Sequence, residues 1–206
     1  MKIIGRKSSS NVQKVLWCCA ELGVKYKHEN AGREFGIVDT DEFLELNPNR
    51  KVPVLIDKGI NLWESNTIVR MVASKFGSGT MFPKGIESQA IAAQWMDWQL
   101  STLGPDFTAM FHGLVRDKPE ERNWNSIDSS IRKTQANLEI LDRYLAETQF
   151  VAGDTLTMGD IPVGIYAYRW YEFKTIERKV LPNLERWYGD LRKRPAFQEF
   201  VMVGLG

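Results

Sequence analysis

Cysteine is nearly absent from this chain: only two of its 206 residues, Cys18 and Cys19, carry a thiol. Neighbours on a helix point about 100° apart, so this adjacent pair is poorly placed for a mutual disulfide. Two thiols are too few for a zinc cage, and the two histidines, His28 and His112, lie far apart in sequence. The sequence therefore predicts buried structural thiols and no bound metal.

Long hydrophobic runs and an excess of one charge are also missing. No apolar run approaches the roughly 18 to 20 residues that a membrane-spanning helix needs, and the first seven residues lack a signal-peptide apolar segment. The 27 basic and 26 acidic residues give a formal net charge of +1, which argues against a polyanion-binding surface. We therefore expect a cytoplasmic protein whose partners include neither nucleic acid nor membrane.

The first 76 residues spell the order β-α-β-α-β-β-α. Apolar residues recur at steps of three and four over residues 12–22, which predicts a helix. A strand beginning at Val52 and a returning segment at residues 60–63 predict a hairpin. Ser65 is expected to cap the next helix, whose apolar stripe ends at Phe76. This order predicts a mixed four-stranded sheet flanked by helices.

A Gly- and Pro-rich connection at residues 77–85 marks the expected domain boundary. Beyond it the pattern is helical: one helix is predicted over residues 87–103, with a break or kink at Gly104-Pro105. Steps of four and three over residues 127–145 predict a long bundle helix. The stretch Leu156 to Ile161 predicts a helix start in which Asp160 reaches back to the Thr157 amide.

Three features of the first part could carry chemistry. Ser9-Ser10-Asn11 precedes a helix start, where free amides favour a negative charge, although helix capping explains these residues too. Val52-Pro53 could expose the Val52 backbone to an extended ligand if the bond is cis, or it could simply mark an edge strand. Glu64-Ser65 could bind a charged amino-acid terminus, or Ser65 could only cap.

Taken together in order, these segments resemble the cytosolic glutathione transferases. The matching segments are Ser9 to Val15, Asn47 to Leu55, Trp63 to Ile68, Thr157 to Ile161, Pro182 to Leu184 and Arg194 to Phe197. They span nearly the whole chain. The Ser-x-Asn-Val pattern is similar to the serine-type theta and phi classes, and the overall match is of bacterial type. Tyrosine- and cysteine-type classes match less well, because the turn has neither residue.

The resemblance implies an α/β plus all-α fold with two domains. Residues 1–77 would form a thioredoxin-like, glutathione-binding domain, and residues 86–206 an all-helical bundle domain that contributes the electrophile pocket. It also implies a homodimer between one subunit's first domain and the other's helices, and glutathione as co-substrate without a metal.

The implied activity is glutathione transfer to a small hydrophobic electrophile. Ser9 would assist the thiol and Asn11 would be a second donor, with Ser10 and Ser8 as alternatives. Related dehalogenation, isomerisation or peroxide reduction would use the same thiolate. A non-catalytic binding or scaffold protein of the same fold is the alternative, although such a protein has no physical need for all three segments.

The resemblance also assigns binding residues. Those for glutathione are Arg50, Lys51, Val52, Pro53, Glu64 and Ser65: the Val52 backbone would pair with the cysteinyl residue, Glu64 and Ser65 would hold the γ-glutamyl end, and Lys51 with Arg50 the glycyl carboxylate. One departure concerns that glycyl end, since theta-like relatives have a histidine where this chain has Ile37-Val38. Candidates for the electrophile pocket are Phe111, Tyr166, Arg169 and Trp170, although aromatic residues at helical spacing often pack a core instead.

Overall fold

A computed structural model describes residues 1–205 of the chain. The first part contains, in order, β1 (Lys2–Ile4), α1 (Ser10–Glu21), β2 (Lys27–Glu29), α2 (Asp41–Leu46), β3 (Val54–Asp57), β4 (Ile60–Leu62) and α3 (Ser65–Phe76). The second part contains α4 (Ile86–Trp98), α5 (Gly104–Phe111), α6 (Trp124–Leu145), α7 (Asp160–Glu172), α8 (Pro182–Arg192) and α9 (Pro195–Phe200). Over this range, no helix combines the length and apolar character needed to cross a membrane.

The four strands form one mixed sheet in the order β2-β1-β3-β4. β1 runs parallel to β2 and antiparallel to β3, and β3 pairs antiparallel with β4. Side chains alternate between two faces: Ile3 and Leu55 join the main core, whereas Ile4 and Val54 pack with Phe43 of α2. A sheet with apolar faces on both sides, followed by a helical part, confirms the predicted α/β plus all-α fold.

The main core runs continuously from the sheet into the helical part. Trp17 of α1 packs edge-on against Phe197 of α9, with ring centroids 4.8 Å apart. A Cβ added to Gly164 of α7 would lie 3.0 Å from the Trp17 ring, so the small residue allows this close approach. Arg194 donates two hydrogen bonds of 2.7 Å to the carboxylate of Glu21. These contacts hold α1 firmly between the two parts.

Of the break or kink predicted at Gly104-Pro105, the break does not occur. A π-helical turn over Gln99–Leu103 connects α4 directly to α5, and Gly104 has ordinary helical dihedrals. Pro105 lies in the first turn of α5, where the loss of an amide is best tolerated. Gly104 allows close packing instead, because a Cβ there would lie 3.0 Å from the Gln99 carbonyl oxygen and 3.3 Å from the Tyr166 hydroxyl.

Three smaller expectations also need correction. The strand predicted from Val52 begins at Val54. Phe76 does not complete the α3 stripe, since 45% of its surface is exposed. Ser65 is the first residue of α3 rather than its cap, a position that Glu64 occupies. In each case the type of element is as expected, but its first residue or the end of its buried face lies elsewhere than predicted.

The predicted contacts of Thr157 with Asp160 and a following amide are present, although α7 begins at Asp160 with Gly159 at its N-cap position. The Thr157 amide donates to Asp160 Oδ2 at 2.8 Å, and the Thr157 hydroxyl accepts from the Gly159 amide at 3.3 Å. Asp160 does more than cap, because its other oxygen accepts from the Val151 amide at 3.0 Å and from Trp187 Nε1 at 2.9 Å. Burial raises the pKa of Asp160, and the four donors oppose that shift.

Candidate active site

A cavity of about 420 Å³ opens between the start of α1, the loop at residues 32–38, the turn before β3, and α7. Of the predicted site residues, those that line it are Ser9, Asn11, Arg50, Lys51, Val52, Phe111 and Arg169. Five others, Pro53, Glu64, Ser65, Tyr166 and Trp170, are not part of its wall. The three segments singled out in the sequence thus converge on one region, although unequally.

Ser9 stands at the N-cap position of α1 but does not act as a cap. Its backbone is extended, with φ −76° and ψ 123°, and its side chain makes no cap hydrogen bond. Its amide donates to the Arg6 carbonyl at 3.1 Å and its carbonyl accepts from the Gln13 amide at 2.8 Å. The first amides of a helix have no intrahelical partner. The cavity therefore receives a free hydroxyl beside the positive end of a helix.

Asn11 joins the cavity to α3. Its Oδ1 accepts a hydrogen bond of 3.2 Å from the Ser65 hydroxyl, so Ser65 reaches the site through Asn11. Glu64, just before Ser65, is exposed and has a φ of +67°. Left-handed backbone is uncommon for a residue other than glycine, and it is concentrated at binding and catalytic sites.

A buried lysine, Lys14, lies beside Ser65, and the sequence did not predict it as a site residue. Lys14 is 1% exposed, and its Nζ donates to Gln99 Oε1 at 2.8 Å, to Asn66 Oδ1 at 3.2 Å and to Ser65 Oγ at 3.5 Å. Burial lowers the pKa of Lys14 to about 7, although the nearby charge of Glu64 favours the ammonium form. One side chain thus ties α1 and α3 to the first π turn.

The turn before β3 presents the backbone of Val52 to the cavity. Buried Asn47 holds this turn: its Nδ2 donates to the Lys51 carbonyl at 2.7 Å, and its Oδ1 accepts from the Asn49 amide at 3.0 Å. The Val52-Pro53 bond is cis. Within residues 1–205, neither the amide nor the carbonyl of Val52 takes part in a backbone hydrogen bond.

Gly5 brings Val52 close to α1. Its φ of +147° lies outside the range that side chains favour, and an added Cβ would come within 2.6 Å of Val12 and 2.9 Å of Val52. Only glycine therefore allows the β1 end to pass between α1 and the β3 turn.

A smaller cavity of about 120 Å³ adjoins the first. Phe111 and Arg169 line both, and Tyr166 lines the smaller one together with Phe107. The rings of Phe107 and Tyr166 meet edge to face at 5.1 Å. Trp170 belongs to the core instead, with 1% of its surface exposed. Three of the four predicted pocket residues therefore lie together at one wall.

Three further arginines line the site that sequence patterns did not single out. Arg116 ends the second π turn, His112–Arg116. Arg6 follows the buried Gly5 in the loop after β1, and Arg33 follows the cavity-lining Gly32 at the start of a 3-10 turn over Arg33–Phe35. Their positions beside glycines were a weak signal of a tight loop, but nothing local indicated their direction. Val38, one of the two residues at the departure from the resemblance, also lines the cavity. In the described chain, no group of three or more His, Cys, Asp or Glu side chains could hold a metal ion.

Two family models match the chain. The N-terminal domain of glutathione S-transferase matches residues 3–74, and its C-terminal domain matches residues 91–195. The Escherichia coli K12 protein described as glutathione S-transferase GstB is 39% identical over 97% of this chain and 96% of its own length. Glutathione S-transferase F13 from Arabidopsis thaliana is 29% identical over 100% and 96%.

Solved structures agree. The theta-class glutathione S-transferase of Xanthomonas axonopodis pv. citri with glutathione bound superposes with a TM-score of 0.95 at 41% identity, covering 100% of this chain and 98% of its own. Family models, a full-length bacterial relative and the fold therefore give one answer: the chain belongs to the cytosolic glutathione S-transferase family.

Proposed function

We propose that this protein is a glutathione transferase that holds the glutathione thiol as a thiolate beside Ser9 and directs it at a small electrophile. The observation that supports this most strongly is the free Ser9 hydroxyl, which lines the larger cavity at the positive end of α1. A hydroxyl that is not used for capping is available to donate to an anion.

The chemical task is to make an anion of a weakly acidic thiol. A free thiol with a pKa of about 8.5 is only a few per cent ionised at pH 7. A hydrogen bond from Ser9 and the α1 dipole that lower this pKa by roughly 2 units would stabilise the thiolate by about 2.7 kcal/mol. Most of the bound thiol would then be nucleophilic, with Asn11 as a second donor.

The remaining groups would position the tripeptide. The unpaired Val52 backbone before Pro53 suits an extended peptide, which adds to it as a short strand. Arg50 and Lys51 line the same wall and suit the glycyl carboxylate, although Arg50 Nη1 also lies 3.8 Å from Asp39. Ser65 and the strained Glu64 suit the γ-glutamyl end.

The domain division, the assembly and the location belong to the same proposal. Residues 1–77 would bind glutathione and residues 86–206 would supply the wall that receives the electrophile. The homodimer, the cytoplasmic location and a role in detoxification rest on what is typical of the family.

Retention on immobilised glutathione, followed by an assay with 1-chloro-2,4-dinitrobenzene, tests the activity. We expect both retention and turnover. Retention without turnover with any electrophile would favour the scaffold alternative, and the loss of both would remove glutathione from this cavity.

A further inference from the structure

The two cavities meet at a strongly cationic wall. Arg116 and Arg169 line both, together with Ser10 and Phe111. Both guanidinium groups lie against the same ring, with Arg169 at 4.5 Å and Arg116 at 5.2 Å from the Phe111 centroid. An apolar surface and two cations are therefore presented to whatever occupies the smaller cavity.

Among residues 1–205, no carboxylate side chain lines this wall. Six cationic residues line the larger cavity: Arg6, Arg33, Arg50, Lys51, Arg116 and Arg169. Among these six cationic residues, only Arg50 forms an ion pair with a carboxylate of the described chain, that of Asp39. The charge of Glu34 acts on Arg6 and that of Asp117 acts on Arg116, but neither carboxylate lines the cavity.

Arg169 is the most informative member of this wall. It is 5% exposed, its Nη2 donates only one long hydrogen bond of 3.5 Å to the Ser8 carbonyl, and its buried Nε has no partner. Burial, with repulsion from Arg116 and Arg33, lowers the pKa of Arg169 to about 10. A buried guanidinium without a counterion is costly, so a site of this kind is completed by an anionic ligand.

Glutathione alone does not supply enough negative charge. As a thiolate it carries two carboxylates, one thiolate and one ammonium group. Its carboxylates are accounted for by Arg50 and Lys51 at one end and by the Ser65 region at the other. The cations that also line the smaller cavity, Arg116 and Arg169, remain in excess.

We propose that the second substrate is a small electrophile whose apolar body carries an anionic group, namely a carboxylate or a sulfonate of similar geometry. Its anionic group pairs with Arg116 and Arg169, and its apolar body packs on Phe107, Phe111 and Tyr166. This assignment rests on the proposed transferase function and adds the charge of the electrophile to it. The planar fork of a guanidinium group suits a planar carboxylate in particular.

The test uses two aromatic electrophiles that differ only in charge: 4-chloro-3,5-dinitrobenzoate and 4-chloro-3,5-dinitrobenzamide. In both, the glutathione thiolate forms a bond to the chlorine-bearing carbon, and chloride leaves with the bonding electron pair. Each enzymatic kcat/KM is divided by the uncatalysed rate constant of the same compound. We expect this normalised kcat/KM to be roughly tenfold or more higher for the carboxylate than for the amide. The difference should decrease as added salt screens the cationic wall.

Variants then assign the preference to residues. Arg116→Gln should reduce the carboxylate-to-amide ratio at least fivefold, and Arg116→Lys should keep part of it. Arg132→Gln is the matched control, since Arg132 is an exposed arginine on α6 outside both cavities. Arg169→Gln should reduce the carboxylate-to-amide ratio more than Arg116→Gln does. Because Arg169 is buried, the melting temperature of the Arg169→Gln variant is measured as well.

A binding measurement separates this inference from the proposed function. Calorimetry compares the carboxylate and carboxamide forms of the dinitrophenyl glutathione conjugate, which need no turnover. Tighter binding of the carboxylate conjugate, lost in Arg116→Gln, supports the anionic subsite even if neither electrophile turns over, in which case the transferase proposal alone fails. Equal affinities, or a ratio that Arg116→Gln leaves unchanged, would overturn the anionic subsite even in an active transferase.

Discussion

Lys14 is the least expected residue of the site, because lysine is almost never fully buried unless it is paired. Here three oxygen acceptors surround its ammonium group, while the carboxylate of Glu64 and the guanidinium of Arg169 act on it from farther away. The resulting pKa of about 7 places its charge change close to neutral pH. Both the stability of the fold and the position of Ser65 therefore depend on this group.

A pH series of unfolding measurements tests that dependence. The pKa of about 7 in the folded state lies below the ordinary value of about 10.4, so unfolding between these pH values takes up a proton. The free energy of unfolding should rise with pH in this window, and below pH 7 the cost of the buried charge is fully present. From pH 7 to 9 the wild type should gain roughly 2 kcal/mol relative to Lys14→Met.

Lys118→Met, which replaces an exposed lysine, is the control and should run parallel to the wild type. If the curve of Lys14→Met also runs parallel, Lys14 keeps its charge throughout and the burial argument fails.

At this scale, local rules predicted some residues and missed others for a physical reason. Ser9 and Asn11 could be predicted from the sequence because a helix start has a recognisable pattern of residues. Lys14 was missed because α1 looks amphipathic in sequence, whereas residues 12–19 are all buried between the sheet and the helical part. Arg33 and Arg116 were missed because both are exposed charged residues, and only the folded topology places them at the cavity.

At the level of elements, the turn before β3 decides how well Val52 is presented. Asn47 is buried and makes three hydrogen bonds within residues 47–51, so it holds the turn without lining the cavity. It acts as a positioning residue. The segment Asn47 to Leu55 was singled out only for its resemblance to the family, and nothing in it indicated that Asn47 would organise the turn from inside.

Replacing Asn47 should separate binding from chemistry. Asn47→Ala removes the bond to the Lys51 carbonyl, so we expect KM for glutathione to rise roughly three- to tenfold while kcat at saturation changes little. Steady-state kinetics with varied glutathione measures both. Asn61→Ala, an exposed change on β4, is the control. A fall in kcat with an unchanged KM would show that the turn does not position glutathione.

The helices illustrate where element prediction succeeds. The contact between Asp160 and the Thr157 amide followed from residues three positions apart and is present, and α7 begins at Asp160 itself. The continuity of α4 and α5 could not be predicted, because Gly104-Pro105 signals a break locally. In the structure Gly104 packs closely against Gln99 and against Tyr166, which is 62 positions away. The π turns on both sides of α5 place Gln99 and Arg116 at the site and have no comparable sequence signal.

At the scale of the whole molecule, the site lies where the two parts meet. Ser9, Val52 and Lys51 come from the first part, and Phe111 and Arg169 from the second. The class of fold was predictable, because each part has its own periodicity. The shape of the shared cavity was not, since it depends on how the two parts pack.

The proposed homodimer is a prediction at this scale. Light scattering at micromolar concentration should give a mass about twice that of the 23.6 kDa chain. A mass equal to that of one chain, unchanged on tenfold concentration, would contradict the dimer. The cavity described above is built from one chain, so that outcome would leave the site itself intact.

The most direct test of the whole account is the titration of glutathione bound to wild-type protein and to Ser9→Ala, followed by thiolate absorbance. Ser74→Ala, an exposed change on α3, serves as the control. We predict that Ser9→Ala raises the pKa of the bound thiol by at least one unit, while the melting temperature stays nearly constant because Ser9 caps nothing. An unchanged pKa in Ser9→Ala would contradict the account and transfer the role to Asn11 or Ser10.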